Sequence, residues 1–244
     1  MVFQKIMTTF GGKLDSDMPF IVLEGLDGAG KSTQIKKIKE LLESAGKQVE
    51  MLHFPRFDSP FFGELIARFL RGEFGSAAEV DPYLVALLYA GDRKDAAVMI
   101  NSWLEEGKYV IADRYVCSNI AYQCAKIDCS EKRSELSKWI LDLEFDYNAI
   151  PKPDLNLFLD VPFKFTRDKL TSQRQGDDRD YLNGQKDIHE ASLDLQRMVR
   201  NVYLSAAECD ENLHVVDCST AEQTMATPEI ISAKIKKIVN QYLK

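Results

Sequence analysis

Apolar positions along the chain fall into two kinds of stretch. Phe20 to Glu24, Gln48 to Phe54, Tyr109 to Asp113, Leu155 to Asp160 and His214 to Asp217 are short and rich in apolar residues. Stretches of this kind suit strands that are covered on both faces. Between them, apolar residues recur at helical spacing. Lys31 to Ala45 places Ile35, Ile38, Leu41 and Leu42 on one face, and Gly46 closes it. Phe61 to Arg71 is closed by Gly72, and Pro82 opens a long helix to about Glu106, closed by Gly107. Lys132 to Leu143, Ile188 to Glu208 and Pro228 to Leu243 also read as helical. The last of these carries a stripe of Ile230, Ile231, Ile235, Ile238 and Val239.

This alternation predicts an α/β fold with a five-stranded parallel sheet flanked by helices on both faces. No repeat or linker interrupts residues 18–244, which read as one domain. Residues 1–17 read as a flexible leader without the apolar segment of a signal peptide. The polar stretch Ser172 to Asp187, with Gly176 and Gly184, reads as a solvated loop or as a mobile flap over a site.

Composition narrows the chemistry. Lys and Arg number 31 against 38 Asp and Glu, a net charge of -7. That balance argues against a dedicated nucleic-acid binder but leaves room for a nucleotide site, which needs only a few placed cations. No run of 18 apolar residues offers a membrane span. Cys117, Cys124, Cys129, Cys209 and Cys218 are odd in number and irregularly spaced, which fits free thiols in a reducing cytoplasm.

The strongest chemical signal is Gly25-Leu26-Asp27-Gly28-Ala29-Gly30-Lys31-Ser32, followed by Thr33. It matches the phosphate-binding loop in full, between a predicted strand and a predicted helix. Its glycines let backbone N–H groups face a phosphate, and the following helix adds the positive end of its dipole. Lys31 reaches the outer phosphates of ATP, and Ser32 offers a hydroxyl to Mg²⁺. No guanine-reading Asn-Lys-x-Asp segment is present. Arginines follow the predicted strands instead: Arg56 after the second and Arg114 after the third, with Arg174 and Arg179 in the polar stretch. Ligands bind at the carboxyl ends of such strands, and arginines there neutralise a transferring phosphoryl group. The pattern is that of a small-molecule kinase. Asp113 is a candidate general base, or a holder of magnesium-bound water.

Beyond the loop, five ordered segments resemble the thymidylate kinase family of nucleoside monophosphate kinases. They are Phe54-Pro55-Arg56, Leu88-Tyr89-Ala90-Gly91-Asp92-Arg93, Asp113-Arg114-Tyr115 continuing through Ser118-Asn119-Ile120-Ala121-Tyr122-Gln123, Pro151-Lys152-Pro153-Asp154, and Asp180-Tyr181. The resemblance implies transfer of a phosphoryl group from ATP to dTMP with Mg²⁺, in dTTP biosynthesis. It implies that Arg56 and Arg114 hold the acceptor phosphate, Tyr89 stacks on thymine, Arg93 donates to a thymine carbonyl and Asn119 contacts the base edge. Phe54 and Gln123 fall among the dTMP contacts, and Tyr122 presses on the sugar where a ribose hydroxyl would sit. Asp27 lies near both magnesium and acceptor, with Ser32 and Asp113 as the other metal contacts, partly through water. Arg174 and Arg179 are expected to deliver catalytic charge, because Gly28 stands where some relatives carry a basic residue. Leu182 stands where an acid often follows the flap tyrosine. The resemblance implies a homodimer, for which Val85, Leu88, Val98 and Ile100 of the long helix are candidate contacts, although a helix facing the core would carry the same pattern. Another deoxynucleotide or deoxynucleoside kinase, or a nucleotide-binding protein without turnover, are the alternative readings.

Overall fold

In the computed structural model, residues 20–171, 177–182, 184, 187–190 and 192–242 are described, with backbone alone for 169–171 and 177–179. The expected leader, residues 1–17, lies outside them. Five strands form one parallel sheet: β1 (Phe20–Gly25), β2 (Val49–His53), β3 (Tyr109–Asp113), β4 (Leu155–Asp160) and β5 (Leu213–Asp217), in spatial order β2-β3-β1-β4-β5. The helices are α1 (Lys31–Ser44), α2 (Phe62–Leu70), α3 (Pro82–Glu105), α4 (Val116–Cys124), α5 (Ser130–Leu141), α6 (Phe163–Thr171), α7 (Leu193–Ala207) and α8 (Pro228–Val239).

Alternate side chains of β1 feed opposite layers, as strand geometry requires. Ile21 and Leu23 pack with α1 and α8 through Ile35, Leu42, Ile231 and Ile235. Phe20 and Val22 pack with α3, α4 and α5 through Ala96, Ile100, Ile120 and Leu136. Every residue of β1 and β3 is buried, so neither strand shows alternation between apolar and polar positions.

Three departures from the sequence pattern bear on the site. Helix α4 has no amphipathic stripe, because all its residues except Cys117 are buried and its polar side chains face inward. The pattern therefore does not single it out, and α6 is likewise unmarked. The helix expected over Lys132 to Leu143 ends at Leu141 and passes into a π-helical turn, Asp142–Tyr147. Helix α7 begins only at Leu193, where the Ser192 hydroxyl accepts from the Leu195 N–H, instead of at Ile188. Residues 188–190 form a turn held by Asp187, whose Oδ1 accepts from the N–H groups of His189 and Glu190.

The polar stretch also contains more structure than its composition suggests. Asp177–Leu182 is a 3₁₀ turn. Tyr181 stacks on Phe57 at 3.8 Å between ring centroids, and its backbone carbonyl accepts from Arg71. Leu182 is buried.

Candidate active site

The carboxyl ends of β1, β2 and β3 open into one cleft of about 1320 Å³, more than the roughly 300–1,000 Å³ typical of a single-ligand pocket. The phosphate loop forms one wall. Gly28 and Gly30 take φ of 75° and 85°, the left-handed region that glycine enters without strain. Gly30 leads straight into α1, and no side chain caps the first turn. Its N–H groups are thus left for an anion. Lys31 is buried, with its ammonium 3.3 Å from the Leu26 carbonyl and 3.8 Å from Asp113. Burial, reinforced by Arg114, pulls its pKa below the usual lysine range. Ser32 and Thr33 are exposed beside it.

Asp113 ends β3. Burial would raise its carboxyl, but Lys31 and His53, 3.8 and 3.4 Å away, hold it below the usual range. Its Oδ1 is buried without a hydrogen-bond partner among the described residues. An ionised oxygen that faces Lys31 but accepts no hydrogen bond, with the Ser32 hydroxyl near the helix start, is the kind of hard-oxygen donor set that Mg²⁺ takes. No group of three metal-ligating side chains occurs among the described residues.

Arg114 follows in the left-handed conformation, φ 67°, an uncommon state for a non-glycine residue. Its guanidinium donates to Asp27 at 2.7 Å and to the Ser118 hydroxyl at 3.1 Å, and it lies over the Tyr122 ring. The Tyr122 hydroxyl donates to the other Asp27 oxygen at 2.8 Å. Burial works against the charge on Arg114, but Tyr122 and Asp27 more than offset it and keep the group firmly protonated.

Glu24, fully buried at the end of β1, holds the start of α4. It accepts from the N–H groups of Tyr115 and Ser118 and from the hydroxyls of Ser118 and Tyr203. It satisfies donors that the uncapped helix start would otherwise leave orphaned. Burial raises its pKa, and these donors pull the other way. An acid within an otherwise apolar strand, next to the glycine loop, was the signal available for it in the sequence.

The far end of the cleft is made by α3 and α4. Tyr89 rests against the cluster of Ile66, Phe69, Leu70 and Val85. Gly91 is required by close packing, since a Cβ there would lie 2.1 Å from the Phe62 ring. Arg93 is buried and paired with Glu144 through Nε, at 3.0 Å, and through Nη2. Burial opposes its charge, and Glu144 outweighs that effect. Asn119 donates to the Ala86 carbonyl and to Glu144. Phe54 packs on Tyr115, and Gln123 accepts from Lys126. Tyr89, Arg93, Asn119, Phe54, Tyr115 and Gln123 line the cleft, and Glu144 stands directly behind Arg93 and Asn119.

Arg56 is also in the wall, but its Nε and Nη2 are bound to Asp92 and Asp95. Asp92, fully buried, takes the Arg56 backbone N–H as well and so fixes where that arginine sits. Arg174 lies outside the described residues, as does the side chain of Arg179. An acid from further along the chain does meet Tyr181. Asp187 accepts from the Tyr181 hydroxyl at 2.8 Å, and with His189 and Glu190 it lines the cleft. Gln196 of α7 reaches both Asp27 and the His189 carbonyl. The sequence pattern singled out none of Asp92, Glu144, Asp187, His189 and Gln196 for a role. Burial raises the Cys117 thiol well above its usual range, so little of it is thiolate.

Of the four candidate interface residues, Val85 and Ile100 are fully buried in the core and Leu88 packs beneath α2. Only Val98 is exposed, together with Leu84, Leu87 and the neighbouring Phe61. No described helix is long and apolar enough to cross a membrane.

Comparison with known proteins agrees with this geometry. The family model described as thymidylate kinase matches residues 23–227. A probable thymidylate kinase of Thermococcus kodakarensis is 35% identical over 212 residues, 84% of this chain and 92% of that protein. The thymidylate kinase of Mycobacterium tuberculosis (strain CDC 1551 / Oshkosh) is 32% identical over 187 residues, 77% of this chain and 85% of that one. A solved thymidylate kinase from Candida albicans shares the fold with a TM-score of 0.71 and 24% identity, over 93% of this chain and 94% of that chain. A loop-and-arginine cleft at the carboxyl edge of a 2-3-1-4-5 sheet, with relatives matched over most of their length, places this chain in the thymidylate kinase family, the ATP:dTMP phosphotransferases that supply dTTP biosynthesis.

Proposed function

We propose that residues 18–244 act as one kinase domain in which the phosphate loop, Gly25 to Thr33, holds ATP and the α3–α4 end of the cleft holds dTMP. The observation that carries this reading is the bridge of Arg114 and Tyr122 onto Asp27, which ties the donor loop to the acceptor wall. The acceptor's phosphate oxygen is already nucleophilic, so the protein's task is positioning and neutralisation. Lys31, Arg114 and Arg56 supply positive charge around the transferring group, with Arg174 and Arg179 joining from the flap. Attack on the γ-phosphorus forms the new P–O bond as the bond to the β-phosphate oxygen breaks, giving dTDP and ADP. Tyr89 stacks on the base, Arg93 and Asn119 read its edge, and Tyr122 excludes a ribose 2′-hydroxyl. Phe54 and Gln123 complete the wall.

Ser32 and Asp113 would hold Mg²⁺, in part through water, with Asp27 on its acceptor side. The ion supplies charge neutralisation across the β- and γ-phosphates. The five unpaired cysteines fit a cytoplasmic, reducing setting. The exposed Leu84, Leu87 and Val98 recur along one face of α3 and fit a homodimer contact with a second copy of the chain. Sedimentation as a single chain would remove that assignment.

The test of the activity is ADP release from ATP-Mg²⁺ with dTMP, dUMP, dCMP, dAMP, dGMP, UMP and thymidine as acceptors. Strong preference for dTMP, with dUMP weaker, is the expected result. Activity on thymidine alone would turn Asp113 into a general base and move the chain to nucleoside kinase chemistry.

A further inference from the structure

Behind the base end of the cleft, one buried carboxylate receives donors from both proposed base-reading residues. Glu144 lies in the π-helical turn after α5 and is 0% exposed. Its Oε1 accepts from Arg93 Nε at 3.0 Å, from Arg93 Nη2, and from Asn119 Nδ2 at 3.2 Å. Asn119 Nδ2 also donates to the Ala86 carbonyl at 3.0 Å. Both neighbours of that amide nitrogen are pure acceptors, so only the NH₂ end of the amide can face them. The other end, Oδ1, is left buried without a partner among the described residues. On the arginine, Nε and Nη2 are tied to Glu144, and Nη1 is the nitrogen outside the pair.

The two residues are therefore held in a fixed polarity: a guanidinium with Nη1 outside its ion pair, and an amide whose oxygen is the end without a partner. Thymine presents the matching pattern, an O4 acceptor beside an N3–H donor. Cytosine presents the reverse, an N4 amine beside an N3 acceptor. We infer that Glu144 is the positioning residue for base choice: by holding Arg93 and the Asn119 amide in one orientation, it makes the site accept thymine and reject cytosine. This inference rests on the assignment of Arg93 and Asn119 to the base edge.

The loading of the carboxylate argues for that role over simple stabilisation. Oε1 takes donors from two residues, while Oε2 is buried with no partner among the described residues. A buried ion pair that leaves one oxygen bare is a poor stabilising device, because the desolvation cost is only partly recovered. Its lopsided geometry does fix two side chains at once. Nothing in Glu144 touches the loop, Lys31 or Asp27, so the phosphate end is expected to be indifferent to it.

The experiment compares the unaltered enzyme with Glu144→Gln, using dTMP and dCMP as acceptors and a thermal melt as the check on folding. Glutamine keeps the shape but drops the charge and places an amide where either end can face Asn119. The expected result is a rise of about tenfold in KM for dTMP and a fall of about tenfold in the dTMP-to-dCMP ratio of kcat/KM. The KM for ATP should stay put, which loss of general structure would not allow. A folded variant that keeps the full ratio and the dTMP KM overturns the role of Glu144 alone. An unaltered enzyme that does not prefer dTMP to dCMP overturns the base-edge assignment itself. Should Glu144→Gln not fold, ¹⁵N NMR of the unaltered enzyme decides the matter. A slowly exchanging Arg93 Nε–H in the nucleotide-free protein supports the inference, and exchange as fast as that of an exposed arginine overturns it.

Discussion

The two ends of the cleft are built from different materials. At the phosphate end, recognition is mostly backbone: glycines at positive φ, an uncapped helix start, and one buried lysine within a dozen residues of chain. At the base end it is side chains alone, drawn from α3, α4 and the turn after α5, with Arg93 and Glu144 51 residues apart. The difference follows from the ligands. A phosphate is nearly isotropic in its demand for donors, so a local curl of N–H groups suffices. A base edge has a direction, and groups that read it must be prevented from rotating. Preventing rotation takes a buried partner behind each reader, and such partners come from distant parts of the chain.

If that division holds, damage at the two ends should differ in kind as well as in size. The largest effect is expected for Arg114→Ala, which removes the bridge from Asp27 to the acceptor wall. Turnover with dTMP should fall by about 10²–10³-fold, the scale for one preorganised donor at a transferring group, and the choice among bases should be retained. Steady-state kinetics over the acceptor panel measures both, and near-normal turnover would sink the assignment. Glu144→Gln is the converse case, with a smaller loss that falls on KM and on base choice.

The smallest effect concerns Asp187, in the cleft wall beside Tyr181. Asp187 is pushed up to about 7, first by burial, then by the negative charges of Asp27 and Glu190, against the pull of the Tyr181 and His189 donors. The folded carboxyl thus keeps its proton up to about pH 7, whereas the unfolded one loses it near 3.8. Between those values folding takes up a proton, so this group's contribution to stability falls as pH rises. Lys126, brought down to about 7 by burial, acts in the opposite sense above that pH and is common to both proteins compared. Asp187→Asn, neutral at every pH, should therefore melt close to the unaltered protein below about pH 4 and above it by pH 7.5, with the gap opening as pH rises. Parallel melting profiles across that range would show that Asp187 titrates as an ordinary carboxyl.

The same division explains what could be read from the sequence. The sheet was legible because buried strands are apolar stretches, and the phosphate loop because its geometry depends on neighbours in sequence. Tyr89, Arg93, Arg114, Asn119 and Tyr122 were marked by motif, and they line one cleft. Helix α4 was not marked, because a helix buried on all sides shows no stripe. Asp92 sat inside a quoted motif without its task being visible, since that task is to hold Arg56 from 36 residues away. Val85 and Ile100 were compatible with either an interface or the core, because a long helix against a sheet is apolar for both reasons, and they are core.

The sequence by itself determined the α/β class, the order of the strands and of most helices along the chain, the phosphate loop and the arginines that follow β2 and β3. These depend on local geometry and on periodicity, which the chain carries in its own order. Only the tertiary structure decided what stands behind each functional side chain: Glu24 behind α4, Asp92 behind Arg56, Glu144 behind Arg93 and Asn119, and Asp187 beneath Tyr181. All four are carboxylates and all are buried. A lone acid in a sequence reads as surface, and only folding brings it the donors that make burial tolerable and give it a direction to impose.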